Sequence, residues 1–275
     1  MTHRNENVSD RDPSPAIRTR IWREEPEPDN PFSARAAYCR GYDVFGAMVG
    51  RARWIEMLVL LFRDALPPAA ELDMLEALSV ALANPGPRDP SVHAAMCGGV
   101  GGSSAAASLM AALSVGAGRV GGARDLFDAM QVWSACGSDF SAWDRHAAEQ
   151  PKHAGVWPET EHPPGCEPHG ATTSTVVRQL LATLAHIGGT PRLCWLAQQR
   201  EEQERALGRP LAITAVAAAA FCDLGFAPAE GEMLFLLLRL PGAAAHALEQ
   251  QGYGYKRFPF FPVELEDDPL RKTQA

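Results

Sequence analysis

Three features of the sequence predict an all-α fold. Alanine is abundant. Apolar residues recur at helical spacing, as in Trp54, Met57, Leu58, Leu61 and Phe62. Val, Ile, Tyr and Thr are not gathered into alternating runs, so strand signals are weak. At 275 residues the chain can bury a sizeable core, as one large domain or as a large domain with a small one attached.

Residues 1–20 are polar, carry Pro13 and Pro15, and are expected to be disordered. Residues 21–33 read as extended, with Asn30-Pro31 as a turn signal. Helices are expected from there on. The first covers Trp54 to Phe62 and is stopped by Pro67-Pro68. Leu72, Leu75 and Leu78 mark a second, which ends near Asn84-Pro85-Gly86-Pro87. Residues 90–118 are small and apolar around a glycine-rich joint at 98–102, the pattern of a tightly packed helical hairpin. That joint is no phosphate loop, because no strand precedes it and no Lys-Ser/Thr follows. Gly121-Gly122 turns the chain into a helix over Ala123–Trp133. Residues 145–171 form a loop or hinge. Further helices are expected at 173–187, 191–206, 211–223 and 229–240. Pro241-Gly242 should break the last, and Ala243–Gln251 should then turn helical again.

The net charge is −8 and there is no basic stripe, which argues against a nucleic-acid partner. Arg18, Arg20 and Arg23 are interleaved with acids and read as solvated surface. The first twenty residues hold no apolar core, so no secretory signal is expected. Leu211 to Cys222 is too short to span a bilayer, so no membrane partner is expected either. The six cysteines, Cys39, Cys97, Cys136, Cys166, Cys194 and Cys222, are scattered with no CxxC. They read as reduced, mostly buried thiols of a cytoplasmic protein. No G-x-S-x-G surrounds Ser103, Ser104, Ser114 or Thr214.

Several segments, in order, resemble the citrate synthase and citryl-CoA lyase family. Gly41-Tyr42-Asp43 followed by Trp54–Leu58 resembles its "GYD … F-x-E-x-x-x-L-L" opening. Leu61–Pro67 resembles "LL-x-G-E-L-P". Gly118-Arg119-Val120-Gly121-Gly122-Ala123 resembles "G-x-H-G-G-A". Pro164-Gly165 resembles the start of "P-G-x-G-H". Leu238–Gln250 resembles "R-x-x-G-x-x-A-H-x-x-E-Q" and is the most specific match. Residues 253–262, with Arg257, resemble the terminal "R-P-x-x-x-Y" region. The likeness runs from about 36 to 262.

This resemblance implies a citrate-synthase-like all-α fold, with a large domain, a small domain and an interdomain cleft. The large domain is expected at 21–170 with 252–262, the small one at 171–251, and tails at 1–20 and 263–275. It implies a homodimer, a coenzyme A thioester as co-substrate rather than a bound cofactor, and a 2-oxo acid. The implied reaction makes or cleaves a carbon–carbon bond between them. It needs a carboxylate base, a histidine that donates to the enolate oxygen, and a second histidine that polarises the keto group. Arginines clamp the substrate carboxylates. Pro164 and Gly165 fall where the cofactor is contacted.

The catalytic positions are substituted. Val120 stands in the place of the first histidine and cannot donate a hydrogen bond. Pro168 falls at the second, with His169 one residue on; a loop shift recovers it, and otherwise His169 is an exposed loop residue. Thr214 stands where the family carries its aspartate. The "D-P-R" that should follow reads Thr172 to Thr175, which leaves Arg178, one turn on, as a substitute. Met96 stands where relatives often carry an arginine or histidine. Arg239 and Arg257 match the two later carboxylate-binding arginines, although Arg239 also reads as a cation capping its helix end. Losing one oxyanion donor alone costs roughly 10²–10³ in turnover. Two readings follow: a divergent acyl-CoA lyase or acyltransferase, or an inactive paralogue acting as a binding or regulatory subunit.

A third reading is a zinc site from His162, Cys166 and His169, with Glu161, Glu167, His146 and His153 nearby. No CxxC or HxxxH frame supports it, and no metal is expected. His93 and Cys97 read as a core pair, and His246 as structural.

Overall fold

A computed structural model of the chain describes residues 17–148, 162–259, 261–263 and 265–266. The chain divides into two compact units, Met1–Pro68 and Ala69–Ala275.

The first unit holds a three-stranded antiparallel sheet in the order β1 (Trp22–Pro26), β2 (Ala34–Cys39), β3 (Tyr42–Asp43). The extended reading of 21–33 is met by β1. Helix was expected to begin soon after, and β2 corrects that. In β2, Ala37 and Cys39 point inward while their neighbours face out, an alternation that alanine content conceals. Trp22 pairs with Cys39, and a bulge at Glu25/Pro26 ends the ladder. Arg40 (φ 50°) and Gly41 (φ 90°) make the tight turn into β3. A π-helical turn, Val44–Met48, follows with Asp43 as its cap, and then α1 (Trp54–Phe62). Cys39, Met48 and Leu60 form the core of this unit, with Trp22, Val44 and Leu61 packed on it.

The regular elements of the second unit are helices, joined by non-helical segments such as 162–174: α2 (Ala69–Leu82), α3 (Pro90–Val100), α4 (Ala105–Gly116), α5 (Ala123–Cys136), α6 (Phe140–Ala148), α7 (Thr175–His186), α8 (Pro191–Leu207), α9 (Ile213–Asp223) and α10 (Pro228–Tyr253). Caps follow the sequence. Asp89, Ser104 and Ser174 accept from backbone N–H groups in the first turns of α3, α4 and α7. The Asp223 carboxylate caps α8 from another helix, accepting from Arg192 and Leu193 at 3.0 Å each.

α9 is apolar all round and buried from Thr214 to Phe221, so it forms the centre of the unit. α5 packs on both α9 and α10. Trp133 of α5 meets Trp143 of α6 and Trp195 of α8 edge-on, at 5.1 and 5.6 Å between ring centroids. α6 reaches Ala148, into the stretch expected to be loop, because Asp139 caps it and Trp143 is buried against α5. The small-residue hairpin α3–α4 packs closely, as expected. A Cβ added at Gly99 would lie 2.2 Å from the Ala247 carbonyl oxygen of α10.

Pro241 does not break α10, which continues to Tyr253. Proline removes one intrahelical donor there, and the next N–H, of Gly242, donates instead to the Ala83 carbonyl at the end of α2 (2.7 Å). A Cβ at Gly242 would meet Ala83 and Asn84 at 2.7 Å, so only glycine permits this approach. A tertiary hydrogen bond thus replaces the one that the proline disrupts.

Candidate functional site

The site is built around the N-terminus of α5. α4 ends at Gly116, and the chain turns through Gly118-Arg119-Val120-Gly121-Gly122 into α5. Gly121 takes φ 65°, and a Cβ on Gly122 would sit 2.3 Å from the Gly118 carbonyl, so both glycines are required. The Val120 side chain is 57% exposed and takes no part in holding the turn.

Asp125, in the first turn of α5, was not singled out from the sequence. It is only 3% exposed. One oxygen accepts from the Gly165 N–H at 3.0 Å. The other accepts from the Thr214 hydroxyl at 2.5 Å. Burial pushes its carboxyl up to about 6, against the lowering effect of those two donors. Thr214 itself is fully buried in the first turn of α9. The position where the resemblance expects a base therefore carries a hydroxyl that donates to a carboxylate from α5.

Gly165 joins the two elements. Its carbonyl accepts from Ala212 N–H at 2.9 Å, Cys166 bridges Leu211, and Glu167 N–H donates to the Pro210 carbonyl at 2.8 Å. Both backbone polar groups of Gly165 are thus engaged within the protein. Its φ of 80° and a would-be Cβ 3.1 Å from Ala215 explain the glycine. Pro164 beside it is half-buried.

Arg239 is 8% exposed. Its guanidinium is paired with Asp89, donates to the Gly121 carbonyl at 3.2 Å and lies 4.8 Å above the Phe235 ring. Burial lowers its pKa and the Asp89 pairing opposes that. Because α10 continues past Pro241, Arg239 sits within the helix, and the helix-end reading is corrected: its charge braces the Gly121 turn.

Of the other candidates, His169, Arg178, Arg257 and His246 make contacts within their own segments. His169 is exposed, and its backbone N–H meets the Glu167 carboxylate at 3.3 Å. Arg178 is exposed on α7 and donates to Thr175 at 3.1 Å. Arg257 is exposed in a 3₁₀ turn, Tyr255–Arg257, 5.8 Å above the Tyr253 ring. Met96 is half-buried against the Val92–Ala95–Ala112 cluster. His246 lies 3.4 Å from Glu249 on the same helix.

Among the described residues, no group of three His, Cys, Asp or Glu side chains could hold a metal. His153 and Glu161 lie outside them. His162 is buried, with desolvation and then Arg209 lowering its pKa, and burial pushes the Cys166 thiol up to about 12. The His93–Cys97 pairing is also corrected: His93 stacks on Phe258 at 5.6 Å, and Cys97 is exposed.

The backbone can be set against solved structures. The chain superposes on citryl-CoA lyase from Hydrogenobacter thermophilus with a TM-score of 0.68, covering 94% of this chain and 99% of that one at 21% identity. The fold is the citrate-synthase-like one. Two ATP citrate lyases share it at 19% identity. That from Methanothrix soehngenii, in complex with citrate and coenzyme A, gives a TM-score of 0.69 over 92% of this chain. A mutant of the Methanosaeta concilii enzyme, in complex with (3S)-citryl-CoA, gives 0.67 over 95%. The chain spans 42% and 43% of the length of these two. No family model and no curated protein matches the sequence. The citrate-synthase-like architecture is thus present in the backbone geometry. No helix among the described residues is long and apolar enough to cross a membrane.

Proposed function

We propose that this chain is a citrate-synthase-like protein that has given up the carbon–carbon reaction and acts as a binding or regulatory subunit, with a coenzyme A thioester as its ligand. The observation that carries this reading is the state of Thr214. It is fully buried, and its hydroxyl is spent on Asp125. Neither it nor Val120 supplies a base or a donor to a thioester, and Arg239 is already neutralised by Asp89. The ligand is inferred from the structural neighbours that hold coenzyme A and citryl-CoA. The two-lobed division, 21–170 with 252–262 against 171–251, belongs to the same proposal.

The partner is a second copy of the chain. Met233, Leu237 and Leu248 are exposed on α10. At about 100° per residue they fall within roughly 60° of one another, an apolar stripe on the outer face of that helix.

The test is calorimetry with coenzyme A and acetyl-CoA, combined with assays for acetyl-CoA condensation with 2-oxo acids and for citryl-CoA cleavage. Binding without turnover is expected; absence of binding refutes the proposal. Turnover would establish instead the divergent lyase or acyltransferase. One observation favours that second reading: Asp125, a carboxyl group that titrates near neutrality, stands one hydrogen bond from Thr214. In that case Asp125→Asn abolishes the turnover.

A further inference from the structure

We propose that Asp125 is a proton-operated latch that sets how firmly residues 162–174 are fastened over the start of α9. Three separate pieces of chain meet at its carboxylate: α5, which carries it; the loop, through Gly165 N–H; and α9, through the Thr214 hydroxyl. The loop is then laid against residues 210–212 by the Gly165–Ala212 and Glu167–Pro210 hydrogen bonds. Farther along, the Thr173 hydroxyl of the loop accepts from the Leu211 N–H at 2.8 Å, just ahead of α9.

The surroundings make the latch sensitive to one proton. α5 brings Asp128, which is paired with Arg124. The loop brings Glu167 and the Cys166 thiol. The residues before α9 bring Arg209, whose guanidinium donates to the Pro168 carbonyl. α10 brings Arg239, which is held by Asp89 and Gly121. No arginine, lysine or histidine among the described residues pairs with Asp125, while Asp128 and Glu167 both repel its negative form. With the carboxyl protonated, both contacts persist: one oxygen still accepts from Gly165, and the new O–H donates to the Thr214 oxygen. With the proton lost to solvent, an anion is left with two dipolar donors and no counter-charge. Lifting the loop lets water reach it, so ionisation favours the opened form. Pro164 and Gly165, the candidate cofactor-contacting residues, move with that segment. The latch stands on this geometry and does not depend on the functional reading above.

A carboxyl moved from 3.8 to about 6 in the closed form changes the opening equilibrium by about a hundredfold once fully ionised. Hydrogen exchange on the full chain between about pH 3.5 and 7.5, corrected for intrinsic exchange, reads this directly. Peptides covering 162–174 and 209–216 should lose protection by up to about a hundredfold as pH rises from about 4 to about 6 and then level off, while peptides from the α3–α4 hairpin do not. In Asp125→Asn, which keeps both contacts without a charge, the profile should be flat. A flat wild-type profile, or an unchanged one in Asp125→Asn, overturns the proposal. Should that variant fail to fold, Thr214→Val serves. It removes one donor to the anion and must move the midpoint to higher pH; an unmoved midpoint also overturns the proposal.

Discussion

The pair of Asp89 and Arg239 gives a decisive measurement. Replacing Asp89 by Ala removes the carboxylate from a guanidinium whose side chain is 9% exposed. What remains around Arg239 is one carbonyl, Gly121 at 3.2 Å, and the face of Phe235 at 4.8 Å. Breaking a buried pair from one side costs about 3–5 kcal/mol. The same substitution uncaps α3, where the Asp89 carboxylate accepts from Ser91 N–H at 3.0 Å, adding about 1 kcal/mol. Asp89 is 18% exposed, so solvent relieves part of this, and a loss of about 3–5 kcal/mol is expected in urea denaturation. Asp89→Asn keeps an oxygen for the cap and should lose about half as much. Combining it with Arg239→Met should recover most of that loss, since no charge is then left buried without its partner. The alternative is that Arg239 awaits a ligand carboxylate. It predicts the opposite pattern: Asp89→Ala costing under about 1 kcal/mol, with citrate then raising its stability more than that of the wild type. That outcome would refute the bracing role assigned to Arg239.

Three further outcomes are expected. Asp125 has a folded pKa above its ordinary 3.8, at about 6; the folded state holds the proton more tightly, so its contribution is full below about pH 4 and is lost as pH rises through 6. Asp125→Asn should therefore be more stable than wild type at pH 7.5 by up to ~3 kcal/mol, with the difference vanishing at pH 4 in paired urea titrations. Gly99→Ala puts a methyl into the Ala247 backbone oxygen, which no rotamer change can relieve, and should cost about 1–3 kcal/mol by thermal or urea unfolding. Leu237→Arg, on the exposed face of α10, should convert a dimer to a monomer in light scattering while leaving the circular dichroism spectrum unchanged.

Most helices were legible because prolines and glycines punctuate them: Pro67-Pro68, Asn84–Pro87, Gly101-Gly102 and Pro228 all fall at boundaries. Two misreadings share a cause. Pro241 and the alanine-rich strand β2 were judged on local propensity, and tertiary partners overrode it: the Ala83 carbonyl for one, the β1 ladder for the other. The site was legible only in part. The Gly121-Gly122 turn can be read from the sequence, as a glycine pair ahead of a helical run. Asp125 cannot. An acid in a first helical turn reads as a complement to the helix dipole, and its partner Thr214 lies 89 residues away. The Asp89–Arg239 pair spans 150 residues, so no spacing rule reaches it either.

On the proposed reading, positions 120 and 214 would tolerate change for different physical reasons. The turn before α5 is fixed by glycine backbone angles and by Arg239 on the Gly121 carbonyl, and the exposed side chain at 120 bears none of that load. A histidine can therefore be exchanged for valine there at little cost in stability. Position 214 is different, because it is sealed in the core and any polar group on it must find a partner. Thr214 finds Asp125. Placing an aspartate at 214 alone would set two carboxylates one hydrogen bond apart with no cation between them, and one of them would have to stay protonated. Thr214→Asp should consequently be destabilised by about 2–4 kcal/mol at pH 7 and recover towards pH 5. Thr214→Asp with Asp125→Thr should fold like the wild type, because the same hydrogen bond is made with donor and acceptor exchanged. If the single and the paired variants prove equally stable, positions 125 and 214 are not coupled, and the hydrogen bond between them does not hold α5 to α9.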